Sequence, residues 1–195
     1  MSEADYPTDV KRVFDFVLAA AMALPVGLVT LLLCAVSYRE TGGQPLFLQT
    51  RVGRGQRPFT LVKLRTMAVG TANVASHEVN AEAVITSSGR WMRRFKFDEL
   101  PQVWNVLLGD MSFVGPRPCL PTQHELIEER AVRAVFKMRP GITGLAQVQG
   151  VDMSTPKRLA ELDALYARQR TFLGDMKLLV QTFAGSGRGD AARKR

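Results

Sequence analysis

Phe16-Val17-Leu18-Ala19-Ala20-Ala21-Met22-Ala23-Leu24-Pro25-Val26-Gly27-Leu28-Val29-Thr30-Leu31-Leu32-Leu33-Cys34-Ala35-Val36-Ser37 is a run of 22 residues without a formal charge. Its reading decides the fold. As a helix rising about 1.5 Å per residue it could reach across a hydrocarbon core of about 30 Å. A cleavable leader fits poorly, because the start carries Glu3, Asp5 and Asp9 where a basic region belongs, and the apolar run exceeds the roughly 7–15 residues of a leader. A plain crossing helix meets a different objection. Lys11 and Arg12 precede the run, and Arg39, Arg51, Arg54 and Arg57 follow it with only Glu40 as offset. Basic flanks stay on the cytoplasmic side, so both ends belong there. A chain that enters and leaves by one face must turn inside the bilayer. Pro25 lies near the middle of the run with Gly27 just after it, and proline removes a backbone donor and crowds the preceding turn. The sequence therefore predicts a re-entrant helix-break-helix whose freed backbone groups find partners inside the protein.

At 195 residues the chain has room for one compact domain beside this element. It divides into 1–40, holding the membrane segment, 41–183, a catalytic domain, and 184–195, a flexible tail with Arg188, Arg193, Lys194 and Arg195 suited to anionic lipid. The net charge of +8, from 26 Lys and Arg against 18 Asp and Glu, suits phospholipid headgroups, nucleotides, polyprenyl phosphates or nucleic acid. Nucleic acid is the weakest of these, since the aromatics are not interleaved with basic residues as stacking platforms would be. The only cysteines are Cys34 and Cys119, one of them within the apolar run, which speaks against a disulfide framework and for a reducing compartment.

Beyond the membrane segment, Leu46-Phe47-Leu48 and Phe59-Thr60-Leu61-Val62 flank Gly53-Arg54-Gly55 and predict a small β-hairpin whose glycines supply positive φ. Lys63 and Arg65 follow at alternate positions, on one face of the second strand. Gly70 to Ser88 reads as a loop with a short helix. Helices are predicted over Leu100–Leu108, Thr122–Met138, Pro156–Arg170 and Leu173–Phe183, the second being closed by Arg139-Pro140-Gly141. Leu159, Leu162, Leu165 and Tyr166, and likewise Met176, Leu179, Val180 and Phe183, recur at helical spacing. Core packing is the first reading of both stripes, and burial against the membrane interface the second. The fold class is α+β and mostly helical, with the hairpin and amphipathic interfacial helices.

The chemistry concentrates between Arg93 and Pro118. Asp98-Glu99 stands at a predicted helix start, where acids often serve only as caps. Here the surroundings point further. With Asp98 as the cap, the amides of Glu99 and Leu100 could cradle an anion. Arg93, Arg94 and Lys96 lie upstream, and Pro116 and Pro118 restrict Arg117, pre-organising its guanidinium for phosphate. A carboxylate beside a diphosphate can act as nucleophile, as general base or as ligand to Mg²⁺. Two adjacent carboxylates allow these roles to be divided. Asp110 reads first as a cap on the Met111 turn and second as a support to the site, and His77 and His124 lie apart without metal-ligand company. No Gly-x-x-x-x-Gly-Lys-Ser/Thr loop, no Gly-x-Gly-x-x-Gly and no Asp-x-Asp pair is found.

In their order, Lys11-Arg12-Val13-Phe14-Asp15, the Pro25 helix, Gln49-Thr50-Arg51-Val52-Gly53, Lys63-Leu64-Arg65-Thr66-Met67, Asp98-Glu99-Leu100-Pro101-Gln102, Gly109-Asp110-Met111-Ser112, Val114-Gly115-Pro116-Arg117-Pro118 and Arg139-Pro140-Gly141-Ile142-Thr143-Gly144 resemble the bacterial sugar transferases. These are monotopic phosphoglycosyl transferases that begin glycoconjugate assembly on polyprenyl phosphate. The resemblance implies transfer of a sugar-1-phosphate from a nucleoside diphosphate sugar, a UDP-sugar first of all, to undecaprenyl phosphate, with release of the nucleoside monophosphate. It implies a ping-pong course through a covalent phosphosugar on Asp98, Mg²⁺ at Glu99, and Lys63, Arg65, Arg93 and Arg117 as phosphate binders. It further implies a place at the bacterial inner membrane with the catalytic domain on the cytoplasmic face, in exopolysaccharide or lipopolysaccharide synthesis. Downstream glycosyltransferases or a second copy of the chain would be partners. Phe97 stands where the family often has Leu, and Leu24 precedes Pro25 where some members carry a small or hydroxyl residue. Without the additional membrane helices of longer members, the chain reads as the minimal catalytic form. The competing reading is a non-catalytic membrane-associated module that binds acidic lipid or nucleotide, which would not need Asp98-Glu99.

Overall fold

The computed structural model describes residues 7–71 and 84–185. The first element, α1 (Thr8–Thr41), is 34 residues long and absorbs the entire apolar run. Lys11, Asp15, Ala19, Val26, Thr30, Leu33, Ser37 and Thr41 are buried along it. That spacing is one helical stripe, so the helix lies against protein over its whole length. Val13, Val17, Leu24, Leu28, Leu31 and Leu32 are exposed. The break expected at Pro25 is absent, because the helix runs through it without interruption. Proline's φ fits a helix, and its lost donor and ring clash cost about 3 kcal/mol. Ala19 and Val26, packed in the core on either side of Pro25, hold the helix against that cost.

Each end of α1 is fixed to the rest of the protein. At the start, Lys11 Nζ donates to Asp175 Oδ2 at 2.5 Å, Arg12 donates to the carbonyls of Val106 and Leu107 at 2.6 and 2.9 Å, and Asp15 Oδ1 accepts the Phe113 amide at 3.2 Å. Towards the finish, Ser37 Oγ donates to the Arg65 carbonyl at 2.6 Å.

The hairpin is present and longer than its apolar cores suggested. β1 (Leu46–Val52) pairs antiparallel with β2 (Pro58–Leu64), from Leu46 opposite Leu64 to Val52 opposite Pro58. Its turn uses positive φ at Gly55 (65°) and Gln56 (59°), whereas Gly53, at φ −107°, does not. The predicted loop and short helix over 70–88 fall mainly on residues outside those described. From there α2 (Ser87–Arg94) emerges, its first turn capped by Thr86 Oγ1, which accepts from the Gly89 amide at 3.0 Å.

After α2 come α3 (Gln102–Leu108), β3 (Ser112–Val114), α4 (His124–Val132), β4 (Gly141–Thr143), α5 (Leu145–Val148), α6 (Pro156–Gln169) and α7 (Phe172–Phe183). β3 and β4 pair in parallel, Ser112 opposite Gly141 and Val114 opposite Thr143. The helix expected over 122–138 ends at Val132, since Ala134 turns left-handed at φ 57° and a 3-10 turn follows over Val135–Lys137. No glycine or proline marks that stop, so spacing alone missed it. The largest core cluster joins Ala19 and Val26 of α1 to Leu61 of β2, Val103 and Val106 of α3, Phe113 and Val114 of β3, Tyr166 of α6 and Leu178 of α7. The α6 stripe is core, with Leu159, Leu162 and Tyr166 buried. The α7 stripe divides. Leu179 packs on the core, while Val180 and Phe183 are 67% and 83% exposed.

Candidate active site

The acid pair rests on a scaffold assembled from three directions. From below, Asn105 of α3 imitates a neighbouring strand along β2: its Oδ1 accepts the Val62 amide at 3.1 Å and its Nδ2 donates to the Thr60 carbonyl at 2.7 Å. Edge groups of β2 are thereby satisfied, and α3 is locked in register beside Lys63. From one side, α2 packs so closely on the chain after β2 that a Cβ on Gly89 would come within 2.3 Å of the Thr66 carbonyl. This brings Arg93 over the site.

From the other side comes Gly115-Pro116-Arg117-Pro118-Cys119, whose carbonyls are taken one after another. Pro116 O accepts the Gly141 amide at 2.8 Å, Arg117 O accepts Arg130 Nη1 at 2.8 Å, Pro118 O accepts Arg51 Nη1 at 2.9 Å and Cys119 O accepts the Val52 amide at 2.9 Å. The loop also meets the Arg139-to-Gly144 motif backbone to backbone. A Cβ on Gly141 would lie 2.1 Å from the Gly115 nitrogen, so that position accepts only glycine. The four carbonyl bonds hold this loop, and Arg117 with it, in place.

Asp98 does not cap a helix. It lies in a 3-10 turn, Phe97–Glu99, entered through Lys96 at φ 58°, and α3 begins only at Gln102 after Pro101. The amides expected to cradle an anion are engaged, Glu99 N–H donating to Lys96 O at 3.2 Å and Leu100 N–H to Phe97 O at 3.3 Å. A left-handed non-glycine residue costs on the order of 1 kcal/mol or more, and here it turns Asp98 inward. Asp98 is 9% exposed. Burial pushes its carboxyl up to about 6, and the negative Glu99 beside it adds to the rise, while Lys63, Arg93 and Arg117 pull it back. The site thus holds a poorly solvated carboxylate that ionises just below neutral pH, ringed by three cations.

Glu99 is positioned differently. Arg117 Nη2 donates to its Oε1 at 2.8 Å, and Lys63 Nζ lies 4.0 Å from the same oxygen. Arg93 donates through Nε to Thr66 Oγ1 at 2.9 Å, and its Nη1 is buried with no hydrogen-bond partner among the described residues. A buried donor left in that state calls for an acceptor, and a phosphate oxygen is a suitable one. Asp98, Glu99, Lys63, Arg93 and Arg117 are therefore brought together. Arg65 is not with them. Its Nε donates to the Gln44 carbonyl at 2.7 Å and its guanidinium stands 5.6 Å from the Phe47 ring centroid.

Among the described residues no group of three His, Cys, Asp or Glu side chains could hold a metal by itself. A carboxylate such as Glu99, set among cations, fits Mg²⁺, which takes few protein ligands together with substrate oxygens; Glu99 would be its protein ligand.

Sequence reasoning passed over Arg130, Asp163 and Asn105. Arg130 is 1% exposed and bonds Asp163 through Nε at 2.9 Å while gripping Arg117 O. Burial raises the Asp163 carboxyl, and Arg130 offsets part of that. The signal was an acid between Leu162 and Ala164 on a buried helical stripe, where a charge survives only if paired.

The chain belongs to the bacterial sugar transferase family, whose model matches residues 6–188; it is a transferase. Among its relatives, an uncharacterized sugar transferase of Bacillus subtilis is 37% identical over 175 residues, spanning 88% of this chain and 84% of that protein. A UDP-glucose:undecaprenyl-phosphate glucose-1-phosphate transferase of Caulobacter vibrioides is 39% identical over 184 residues, spanning 88% of this chain and 67% of that protein. An Escherichia coli protein of the same name is 35% identical over 185 residues, which are 88% of this chain but 39% of the longer relative.

Proposed function

We propose that this protein moves a sugar-1-phosphate from a UDP-sugar to undecaprenyl phosphate in two displacements. The observation that carries the reading is Asp98, sunk to 9% exposure among Lys63, Arg93 and Arg117, beside a Glu99 tied to Arg117. In the first displacement an Asp98 carboxylate oxygen attacks the sugar-bearing phosphorus, and the bond to the bridging oxygen breaks. The nucleoside monophosphate departs with that electron pair. In the second, a phosphate oxygen of the polyprenyl phosphate attacks the same phosphorus and Asp98 leaves as carboxylate, so no net proton transfer is required. Splitting one transfer between two anions into two steps lowers each barrier, and the three cations offset the charge on the phosphoryl oxygens. Arg93 Nη1 takes one of those oxygens, and Arg117 holds Glu99 in place. Bound at Glu99 together with the diphosphate, Mg²⁺ would supply charge neutralisation.

The protein sits on the membrane without crossing it, in this reading, with the site on the cytoplasmic side. Support comes from the basic flanks of the apolar run and from both ends of α1 being fixed to one body, Lys11 to Asp175 and Ser37 to the Arg65 carbonyl. The test supplies UDP-sugar alone to nanodisc-bound protein. Nucleoside monophosphate should appear in a burst no larger than one per site, and the peptide containing Asp98 should gain the mass of a sugar phosphate. Release only after polyprenyl phosphate is added would favour direct attack in a ternary complex.

A further inference from the structure

Trp91 and Phe95 on and just after α2, and Phe97 in the turn before Asp98, form a closed triangle of rings. Their centroids are 5.9 Å apart for Trp91–Phe95, 5.1 Å for Trp91–Phe97 and 6.1 Å for Phe95–Phe97. Trp91 and Phe95 are 46% and 53% exposed, an unusual outlay of aromatic surface next to a charged site. The third ring leads inward. Phe97 packs with Cys34 and Leu100 against the cluster of Leu33, Leu64 and Met92, and beside Leu33 on α1 both Leu31 and Leu32 are exposed. Phe97, the residue preceding Asp98, thus shares one apolar cluster with the helix that also exposes Leu31 and Leu32.

We infer that this aromatic triangle seats the first isoprene units of the acceptor lipid and delivers its phosphate to Asp98. The inference rests on the transferase reading and deepens it. Two observations favour a prenyl chain over the other flat or greasy group involved, the nucleobase. A base slot needs a free ring face, but Trp91 meets Phe95 and Phe97 at 61° and 55°, and the Arg94 guanidinium stands 5.6 Å from the Phe95 centroid. Phe95 and Phe97 come nearer to parallel, at 31°, but their centroids are only 6.1 Å apart, too close to take a base between them. Through Phe97 the rings also share a cluster with α1, the apolar helix along which a membrane-embedded chain would arrive. The head group finds cations on the same short segment: Arg93, with its unpartnered Nη1, is two residues from Trp91, and Arg94 faces Phe95. A polyprenyl phosphate combines these two demands in one molecule.

The test uses the full chain in nanodiscs and the variants Trp91→Ala, Phe95→Ala and the pair together, with a long polyprenyl phosphate and one of two isoprene units as acceptors. Loss of one large apolar contact should raise KM for the long acceptor about tenfold in each single variant. The discrimination of the wild type between long and short acceptors should shrink. The single-turnover burst with UDP-sugar alone should keep its amplitude and rate. A slowed burst would assign the rings to the nucleotide and overturn the inference. So would unchanged acceptor kinetics, and so would a loss of vesicle flotation that accounts for the whole effect, since that would make the rings a membrane anchor only. Circular dichroism at matched concentration excludes misfolding, and Trp91→Leu, which keeps an apolar side chain, should recover most of the acceptor affinity. A wild type that releases no nucleoside monophosphate from any UDP-sugar would instead sink the transferase reading itself.

Discussion

Asp98→Asn should make the protein dead and more stable at once. Burial and Glu99 lift the Asp98 carboxyl from 3.8 to about 6, and at about 1.36 kcal/mol per pKa unit that rise corresponds to roughly 3 kcal/mol. For an acid whose folded pKa is raised, the folded state holds the proton more tightly. The penalty is therefore absent below pH 3.8, grows as pH rises towards 6 and is complete above it. Asparagine removes the charge but leaves a buried amide that costs about 1–2 kcal/mol when poorly paired, for a net gain of about 1–2 kcal/mol at pH 7.5. In a chain of this size such a gain raises Tm by roughly 2–8 °C. The assay is thermal unfolding by intrinsic fluorescence in nanodiscs at pH 7.5 and at pH 4.5, with the UDP-sugar burst recorded in parallel at pH 7.5. The gap between variant and wild type should narrow at the lower pH, and the burst should vanish. An Asn variant that is less stable at pH 7.5, or a gap independent of pH, would refute the claim that Asp98 is a charge held in a place that resists it.

Glu99→Gln should lose most turnover. Because Glu99 raises the Asp98 carboxyl, its loss should also move the acid limb of the single-turnover pH profile downward, and an unmoved limb would separate the two residues electrostatically. Wild-type turnover unchanged by EDTA would remove the metal role from Glu99. Arg130→Ala strands the buried Asp163 and should cost about 3–5 kcal/mol in denaturant titration. The double change Arg130→Met with Asp163→Leu should recover stability but not turnover, since Arg117 O would still lack its donor, and full recovery of turnover would show that the grip on the loop is dispensable. Cysteine labels near Ser2 and after Phe183, placed in a chain with the native cysteines replaced, should both react from the cytoplasmic side. Labelling from opposite faces would establish a crossing helix.

Most of the fold could be read where one signal dominates. The hairpin showed itself through apolar runs around Gly53-Arg54-Gly55, and the α6 core stripe through plain periodicity. The failures lie where tertiary contacts outweigh local preference. Pro25 is carried within α1 because residues on either side are packed. Asp98, which looked like a helix cap, is turned inward by Lys96 in a left-handed conformation that no local residue type announces. Of the basic residues, Arg93 and Arg117 reached the acid pair because a short helix and a proline-flanked loop fix their direction. Lys63 lies in β2 and Arg65 just past its end, and only Lys63 approaches, since Gln44 and Phe47 capture Arg65. Arg130 and Asp163 were hidden for a simpler reason. A buried ion pair between residues 33 apart in the chain leaves no short-range pattern.

The stripe along α1 means that the membrane element is also masonry. Ala19, Val26 and Leu33 are core residues in contact with the elements that carry Lys63, Arg93 and the acid pair, and Lys11 and Ser37 bolt the helix down near its two ends. Cutting α1 away to obtain a soluble enzyme would not unmoor a finished domain from its anchor. It would pull out one wall of the active site. Whatever presses on the exposed side of that wall bears through these contacts on the residues around Asp98.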